Sequence, residues 1–191
     1  MIDFSPITEQ KMNWTRFAAQ FTKQDLIDQT NHLTDTILEL IAEANDDDVV
    51  FDPQDPDAYD PYAENPEEET IGWNLGHVIV HLTASNEESA FLAAELARGA
   101  EVEYRRSRWE VPWETITTIA QCRHRLEESR RMLLASLDMW PDRPHLDNFY
   151  RSPKGLKITP IVRFLLGQNH AASHLEQIKD VLNQSNQVIA S

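Results

Sequence analysis

Apolar residues recur along this chain at the spacing expected of helices that bury one face. In residues 23–45, Leu26, Leu33 and Leu40 stand seven residues apart, and polar residues fill most of the positions between them. This pattern is typical of an amphipathic helix with one buried stripe. Three further stretches have helical spacing and a helix-forming composition, namely residues 74–97, 115–139 and 160–184.

Local signals mark where these helices begin and end. Asn74 can cap the second helix, and Gly99 stands just beyond its end, where glycine commonly terminates helices. Thr159 followed by Pro160 is the favoured order for starting the fourth helix. Pro141 lies just after the third helix, which a proline cannot continue.

Together the four stretches predict an all-α fold. A four-helix bundle is the natural way to bury four such stripes, and we expect a single domain over residues 1–191. Residues 6–20 predict an extra short N-terminal helix. It would carry four side chains toward a core, namely those of Met12, Trp14, Phe17 and Phe21.

Residues 46–69 interrupt the helical pattern with an acidic stretch. It contains 11 of the 32 acidic residues, no Lys or Arg, and four prolines. The prolines forbid a long helix and the charge opposes burial, so we expect a surface loop. This stretch accounts for most of the formal net charge of −15. A chain this acidic would repel a polyanion, so we expect no nucleic-acid partner.

The chain shows no sign of secretion or membrane insertion. Cys122 is its single cysteine, which rules out an internal disulfide and fits a reducing compartment. We find neither a signal-peptide pattern nor an apolar run long enough to span a membrane. We therefore expect a cytoplasmic protein without a membrane partner.

The candidate chemistry lies in two pairs of histidines, each spaced i, i+4. His77 and His81 open the second long helix, and His170 and His174 lie within the fourth. Four residues of helix turn through about 400°, so both rings of a pair point nearly the same way, about 6 Å apart. Apolar residues surround both pairs, and a buried imidazole needs a polar partner.

The two pairs predict a metal site between two helices. One divalent ion, such as zinc, nickel, iron or manganese, would satisfy the imidazoles. A packing role without metal is the alternative. Neither pair has the Glu of a zincin motif, and no Glu stands three residues before a His as in di-iron bundles. Cys122 and His124 do not face each other on a helix, so a cysteine hydrolase is not supported.

The remaining candidates are weaker. We expect His32 and His124 to lie on the surface. His145, in a loop bounded by prolines, is either a surface residue or a group near the mouth of a site. Arg105, Arg106 and Arg108 belong to a connector after the second helix, where they are either solvated or available to an anionic substrate.

Two motifs resemble those of the DinB-like superfamily. The first is WNLGHVIVHL over residues 73–82, with a His eight residues after the Trp. The second is HAASHLEQI over residues 170–178, with a Gln three residues after the second His. The helix order also matches over most of residues 23–184, while the N-terminal helix and the acidic loop fall outside the pattern.

This resemblance implies a four-helix bundle with a metal site on His81, His170 and His174, rather than on His77. It also implies a homodimer. The family includes thiol-dependent isomerases and transferases that use a low-molecular-weight thiol.

Three protein ligands leave coordination positions open, as in catalytic sites. We therefore expect a metal-dependent thiol S-transferase or a hydrolase acting on a small molecule. The alternative is a non-catalytic, stress-related bundle that acts through dimerisation or a partner. Gln177 is either a residue that supports the metal ligands or a solvated helix residue.

Overall fold

The computed structural model describes residues 1–56, 58–60, 66–103 and 111–189. Arg105, Arg106 and Arg108 lie outside the described residues. The described part contains the helices α1 (Ser5–Thr8), α2 (Trp14–Ala18), α3 (Lys23–Leu40), α4 (Asp46–Val50), α5 (Leu75–Ala97), α6 (Ile119–Asp138), α7 (Pro160–Ser173) and α8 (Leu175–Ile189). The strands β1 (Tyr150–Arg151) and β2 (Lys157–Ile158) pair in an antiparallel hairpin. Among the described residues, no helix has the length and apolar character needed to cross a membrane.

The predicted all-α bundle is confirmed. Helices α3, α5, α6 and α7 form it, and the most extensive packing joins α5 to α7 and α6. Helix α5 is buried on nearly all sides, which is typical of a helix at the centre of a bundle. Of its 23 residues, only Glu88, Phe91 and Glu95 are not buried. The other long helices cover α5 and supply amphipathic faces.

A glycine sets the distance between α5 and α7. A Cβ atom at Gly167 would lie 2.5 Å from Cβ of Ser89, closer than real side chains pack. One residue later, Nε2 of Gln168 donates to Oδ1 of Asn86 across the same interface at 3.2 Å. The two helices therefore pack closely just before the chain reaches His170.

Most of the predicted helix starts are confirmed by the structure. The side chain of Asn74 accepts a hydrogen bond from the backbone N–H of His77 at 2.9 Å and caps α5. Pro160 is the first residue of α7. Helix α6 begins at Ile119 rather than near residue 115, because Thr118 and Gln121 form a capping box there. The residues just before it, Trp113–Thr115, form a single 3-10 turn.

The acidic stretch is only partly the surface loop that we predicted. Its first five residues form α4, and the side chain of Asp48 is buried. Asp48 accepts hydrogen bonds from the hydroxyl of Ser185 at 2.6 Å and from the backbone N–H of Asn45 at 2.8 Å. Asp46 accepts one from the backbone N–H of Ile119 at 2.9 Å. Carboxylates that cap helix N-termini are stabilised there, which offsets the expected cost of packing acidic residues against the bundle.

The N-terminal segment contains two short helices instead of one over residues 6–20. Phe17 is buried, and its ring lies 5.8 Å from that of Phe4 and 5.1 Å from that of Phe21, between ring centroids. Trp14 joins the same aromatic cluster, which packs at the α7 side of the bundle. The predicted apolar side chains therefore reach the core through a different backbone path.

Gly167→Ala should test the close approach of α5 and α7. Alanine is favoured over glycine within a helix by about 1 kcal/mol. We nevertheless expect the free energy of unfolding to fall by ~1–3 kcal/mol, because the added methyl overpacks the interface. Urea denaturation measures this change. In a double-mutant cycle, Ser89→Gly should relieve part of the loss, and strict additivity of the two changes would contradict the proposed clash.

Candidate metal centre

Three imidazoles from distant parts of the chain meet inside the bundle. His81 comes from α5, His170 from α7, and His174 from the single residue between α7 and α8. The Nε2 atoms of His81 and His170 lie 2.9 Å apart, and one potential ligand nitrogen from each of the three rings falls within 4.8 Å of the others. His81 is buried and the other two are partly buried. Imidazoles from the two predicted histidine stretches therefore meet, with His81 alone from the first pair and both residues of the second.

The spacing of these nitrogens suits one ion. Nitrogens bound to a tetrahedral zinc ion at about 2.1 Å lie roughly 3.4 Å from one another. The one pair of nitrogens at 2.9 Å and the limit of 4.8 Å that contains all three are of this order. Three neutral imidazoles form a donor set that zinc, nickel and iron accept. The cluster could therefore hold a metal ion, although its chemistry alone does not select among these metals.

Gln177 contacts one of the three rings on the side away from its Nε2 atom. Nδ1 of His174 lies 2.7 Å from Oε1 of Gln177. A carbonyl oxygen can only accept, so the Nδ1–H donates, and the lone pair of His174 is on Nε2. Metal-binding histidines commonly donate their second ring N–H to such a partner, which fixes the ring and its tautomer. This contact favours the supporting role that we considered for Gln177 over the solvated one.

The fourth predicted helix is broken at His174. We expected one helix over residues 160–184, but α7 ends at Ser173 and α8 begins at Leu175. The backbone N–H of His174 bonds to the carbonyl of Ala171 at 3.2 Å, a tighter turn than in an α-helix. The chain then resumes its helix, with the N–H of Ile178 bonded to the carbonyl of His174. This break places the ring of His174 at the junction.

His77 does not belong to the cluster and instead packs between two tryptophans. Its ring stacks on Trp73 at 4.4 Å and on Trp113 at 4.9 Å between centroids, with interplanar angles of 22° and 2°. Burial lowers the pKa of His77 from 6.5 to about 4, against the opposite influence of the Asp60 carboxylate. The ring is therefore neutral near pH 7 and fills space between aromatic faces. The sequence motifs gave no indication that Trp113 packs against this histidine.

The other histidines lie elsewhere. His32 is exposed and approaches the N-terminal ammonium group of Met1 at 3.1 Å. His124 is exposed on α6. His145 packs over Gly99, and its backbone N–H bonds to the carbonyl of Ala97 at the end of α5. That end is sixteen residues, or roughly 24 Å of helix, from His81. The structure therefore gives His145 no role at the mouth of this site.

A cavity of about 180 Å³ borders the cluster at His174 and Gln177. The rest of its wall is formed by Trp73, Ile71 and part of the acidic stretch, namely Asp55, Ala58, Tyr59 and Asp60. Sequence analysis did not predict that Asp55, Ala58, Tyr59 and Asp60 lie beside the histidines, because no local pattern carries that information. The cavity gives a small molecule a place next to one of the three imidazoles.

A helical bundle that gathers three histidines beside a cavity defines a class of candidate metalloproteins. A sequence model described as the DinB superfamily matches residues 4–178. The chain therefore belongs to the DinB superfamily, as the two motifs predicted. The match begins at residue 4, so it includes the N-terminal segment and the acidic stretch, which our motif comparison left outside. Searches of curated proteins and of solved structures return no match.

The packing role of His77 predicts different results for two substitutions. His77→Phe keeps a ring between Trp73 and Trp113 and should change the free energy of unfolding by about 1 kcal/mol or less. His77→Ala removes that ring and should cost ~2–4 kcal/mol, because a cavity remains. Urea denaturation of the metal-free proteins measures the free energy of unfolding of both variants. Equal losses in both variants would show that a polar contact of His77, not its volume, matters.

Cys122 should be inert in the native protein. It is buried, and burial raises the pKa of its thiol to about 12. Since the thiolate is the reactive species, we expect its reaction with a disulfide reagent at pH 8 to be at least ~100-fold slower in the folded protein than in urea. Absorbance of the released thiolate measures both rates. A fast native reaction would contradict the burial of this side chain.

Proposed function

We propose that His81, His170 and His174 bind one divalent metal ion, and that this site catalyses thiol S-transfer or hydrolysis of a small molecule. The observation that carries the proposal is the convergence of the three ring nitrogens within 4.8 Å. Membership in the DinB superfamily supports the same reading. The choice of a low-molecular-weight thiol as co-substrate depends on the family resemblance.

The arrangement favours a catalytic centre over a structural one. Structural zinc sites are usually closed by four protein ligands, whereas catalytic sites keep a position open. Within the ranges that the structure describes, the cluster contains three residues and no fourth His, Cys, Asp or Glu. The cavity beside His174 gives substrate a route toward an open position.

The residues of this chain have distinct parts in the proposed chemistry. A bound divalent ion would lower the pKa of a water or thiol and so supply a nucleophile near neutral pH. Oε1 of Gln177 accepts a hydrogen bond from the Nδ1–H of His174, which leaves the Nε2 lone pair of that ring available to the metal. The burial of His81 and the adjoining apolar side chains limit the access of water from the α5 side.

Metal analysis of protein purified without a histidine tag tests the first half of the proposal. We expect one equivalent of metal per chain, and a loss of affinity greater than ~100-fold in His81→Ala and in His174→Ala, since each removes a ligand. His124→Ala, which changes an exposed histidine, is the matched control and should bind like the wild-type protein. Equal metal content in all four proteins would exclude the three-histidine site.

An activity screen tests the second half of the proposal, that the metal site catalyses thiol transfer or hydrolysis. Metal-loaded and chelator-stripped protein are compared with small thiols and a set of electrophiles and esters. We expect turnover only with metal, and its loss in His174→Ala. Metal binding without turnover of any substrate would favour the non-catalytic alternative, in which the bundle acts through a partner.

The family resemblance also leads us to propose a homodimer, which sedimentation measurements would test.

A further inference from the structure

Trp73 lies beside two of the three candidate metal ligands. Its ring centroid lies 4.5 Å from that of His81 on α5 and 6.0 Å from that of His174 at the α7–α8 junction. These two rings come from segments that are far apart in sequence. Trp73 stands just before α5, next to the N-cap residue Asn74, and is partly buried.

We propose that Trp73 is a positioning residue that fixes the orientation of the His81 and His174 rings for metal binding. This inference rests on the proposed metal site and adds to it a residue that binds no metal itself. An imidazole rotates about its Cβ–Cγ bond with little intrinsic preference. A large aromatic face at contact distance removes part of that freedom before the ion arrives.

Trp73 is itself held by a column of rings. His77 stacks on it at 4.4 Å, and Trp113 stacks on the His77 ring with an interplanar angle of 2°. The column runs from the 3-10 turn at Trp113–Thr115 through the start of α5 to the candidate ligands. Trp73 is therefore supported by neighbouring aromatic side chains instead of projecting alone from a loop.

Two glycines allow the backbone around Trp73 to be packed closely. A Cβ atom at Gly72 would lie 2.4 Å from the carbonyl oxygen of Pro53, and one at Gly76 would lie 2.7 Å from that of Ile116. The first contact brings the chain after α4 against the residue that precedes Trp73. The second brings the segment that carries Trp113 against the first turn of α5. Both contacts restrict the backbone that carries the Trp73 ring.

The position of Trp73 also links the metal centre to the cavity. Trp73 lines the 180 Å³ cavity together with His174 and Gln177. Gln177 fixes the Nδ1 side of His174 by a hydrogen bond, while Trp73 lies against that ring nearly parallel to it, at an interplanar angle of 22°. The two residues thus restrain the same ligand by different interactions.

Metal affinity measured with Co²⁺ tests this role. Absorbance titrations would compare the wild-type protein with Trp73→Leu, Trp73→Phe and Trp113→Leu. Residues that orient metal ligands typically change affinity by 10–100-fold when they are replaced. We expect Trp73→Leu to weaken binding by ~10-fold or more and to alter the Co²⁺ absorption bands. Trp73→Phe, which restores an aromatic face, should remain within about 3-fold of the wild-type affinity.

Trp113→Leu is the matched control because Trp113 stacks on His77 rather than on a candidate ligand. It should lower the melting temperature of the metal-free protein without a comparable loss of Co²⁺ affinity. Equal loss of affinity in Trp73→Leu and Trp113→Leu would overturn the inference and show general loosening of the aromatic column. An unchanged affinity in Trp73→Leu would also overturn it.

A second measurement uses the metal-free wild-type protein and does not require a stable variant. The ring current of Trp73 should shift imidazole proton resonances of His81 and His174 in NMR spectra, relative to those of the exposed His124. Absence of such shifts would reject the inference. Failure of the wild-type protein to bind Co²⁺ would reject the proposed metal site and this inference together. A Co²⁺ affinity that is the same in Trp73→Leu as in the wild-type protein would reject the inference alone.

Discussion

The close packing of α5 against α7 is the constraint on which the rest of the structure depends. Gly167 has no side chain at the point where Ser89 approaches, so the two helix backbones come nearer than larger residues would permit. Three residues after Gly167, His170 extends toward His81, and their Nε2 atoms lie 2.9 Å apart. A wider separation of the helices would leave three histidines without a common centre.

Much of the fold and the two histidine pairs could be predicted because their signals are local, whereas the choice of His81 over His77 came from the family resemblance. An apolar stripe such as Leu26 and Leu33 depends only on helical periodicity, and both side chains are buried as that periodicity requires. The N-cap at Asn74 follows from a side chain that satisfies a backbone N–H three residues later. The pairing of His170 with His174 follows from spacing alone.

The features that sequence analysis missed depend on contacts between distant residues. Helix α4 forms in an acidic stretch because Asp46 caps α6 and Asp48 binds Ser185, 137 residues away. His77 stacks between Trp73 and Trp113, and Trp113 comes from a segment beyond the end of α5. The cavity wall formed by the acidic stretch, at Asp55 and Ala58 to Asp60, likewise has no local signature, and neither does the break at His174. Each requires knowledge of which segments become neighbours.

The location of the histidines along the chain has a consequence for folding. His81 and His170 are separated by 89 residues, so an unfolded chain cannot present the complete donor set to one ion. A metal bound there would therefore stabilise only the native state, by about 2.7 kcal/mol when free metal is a hundredfold above its dissociation constant. The lifetime of this protein against proteolysis would then follow the supply of metal in its surroundings.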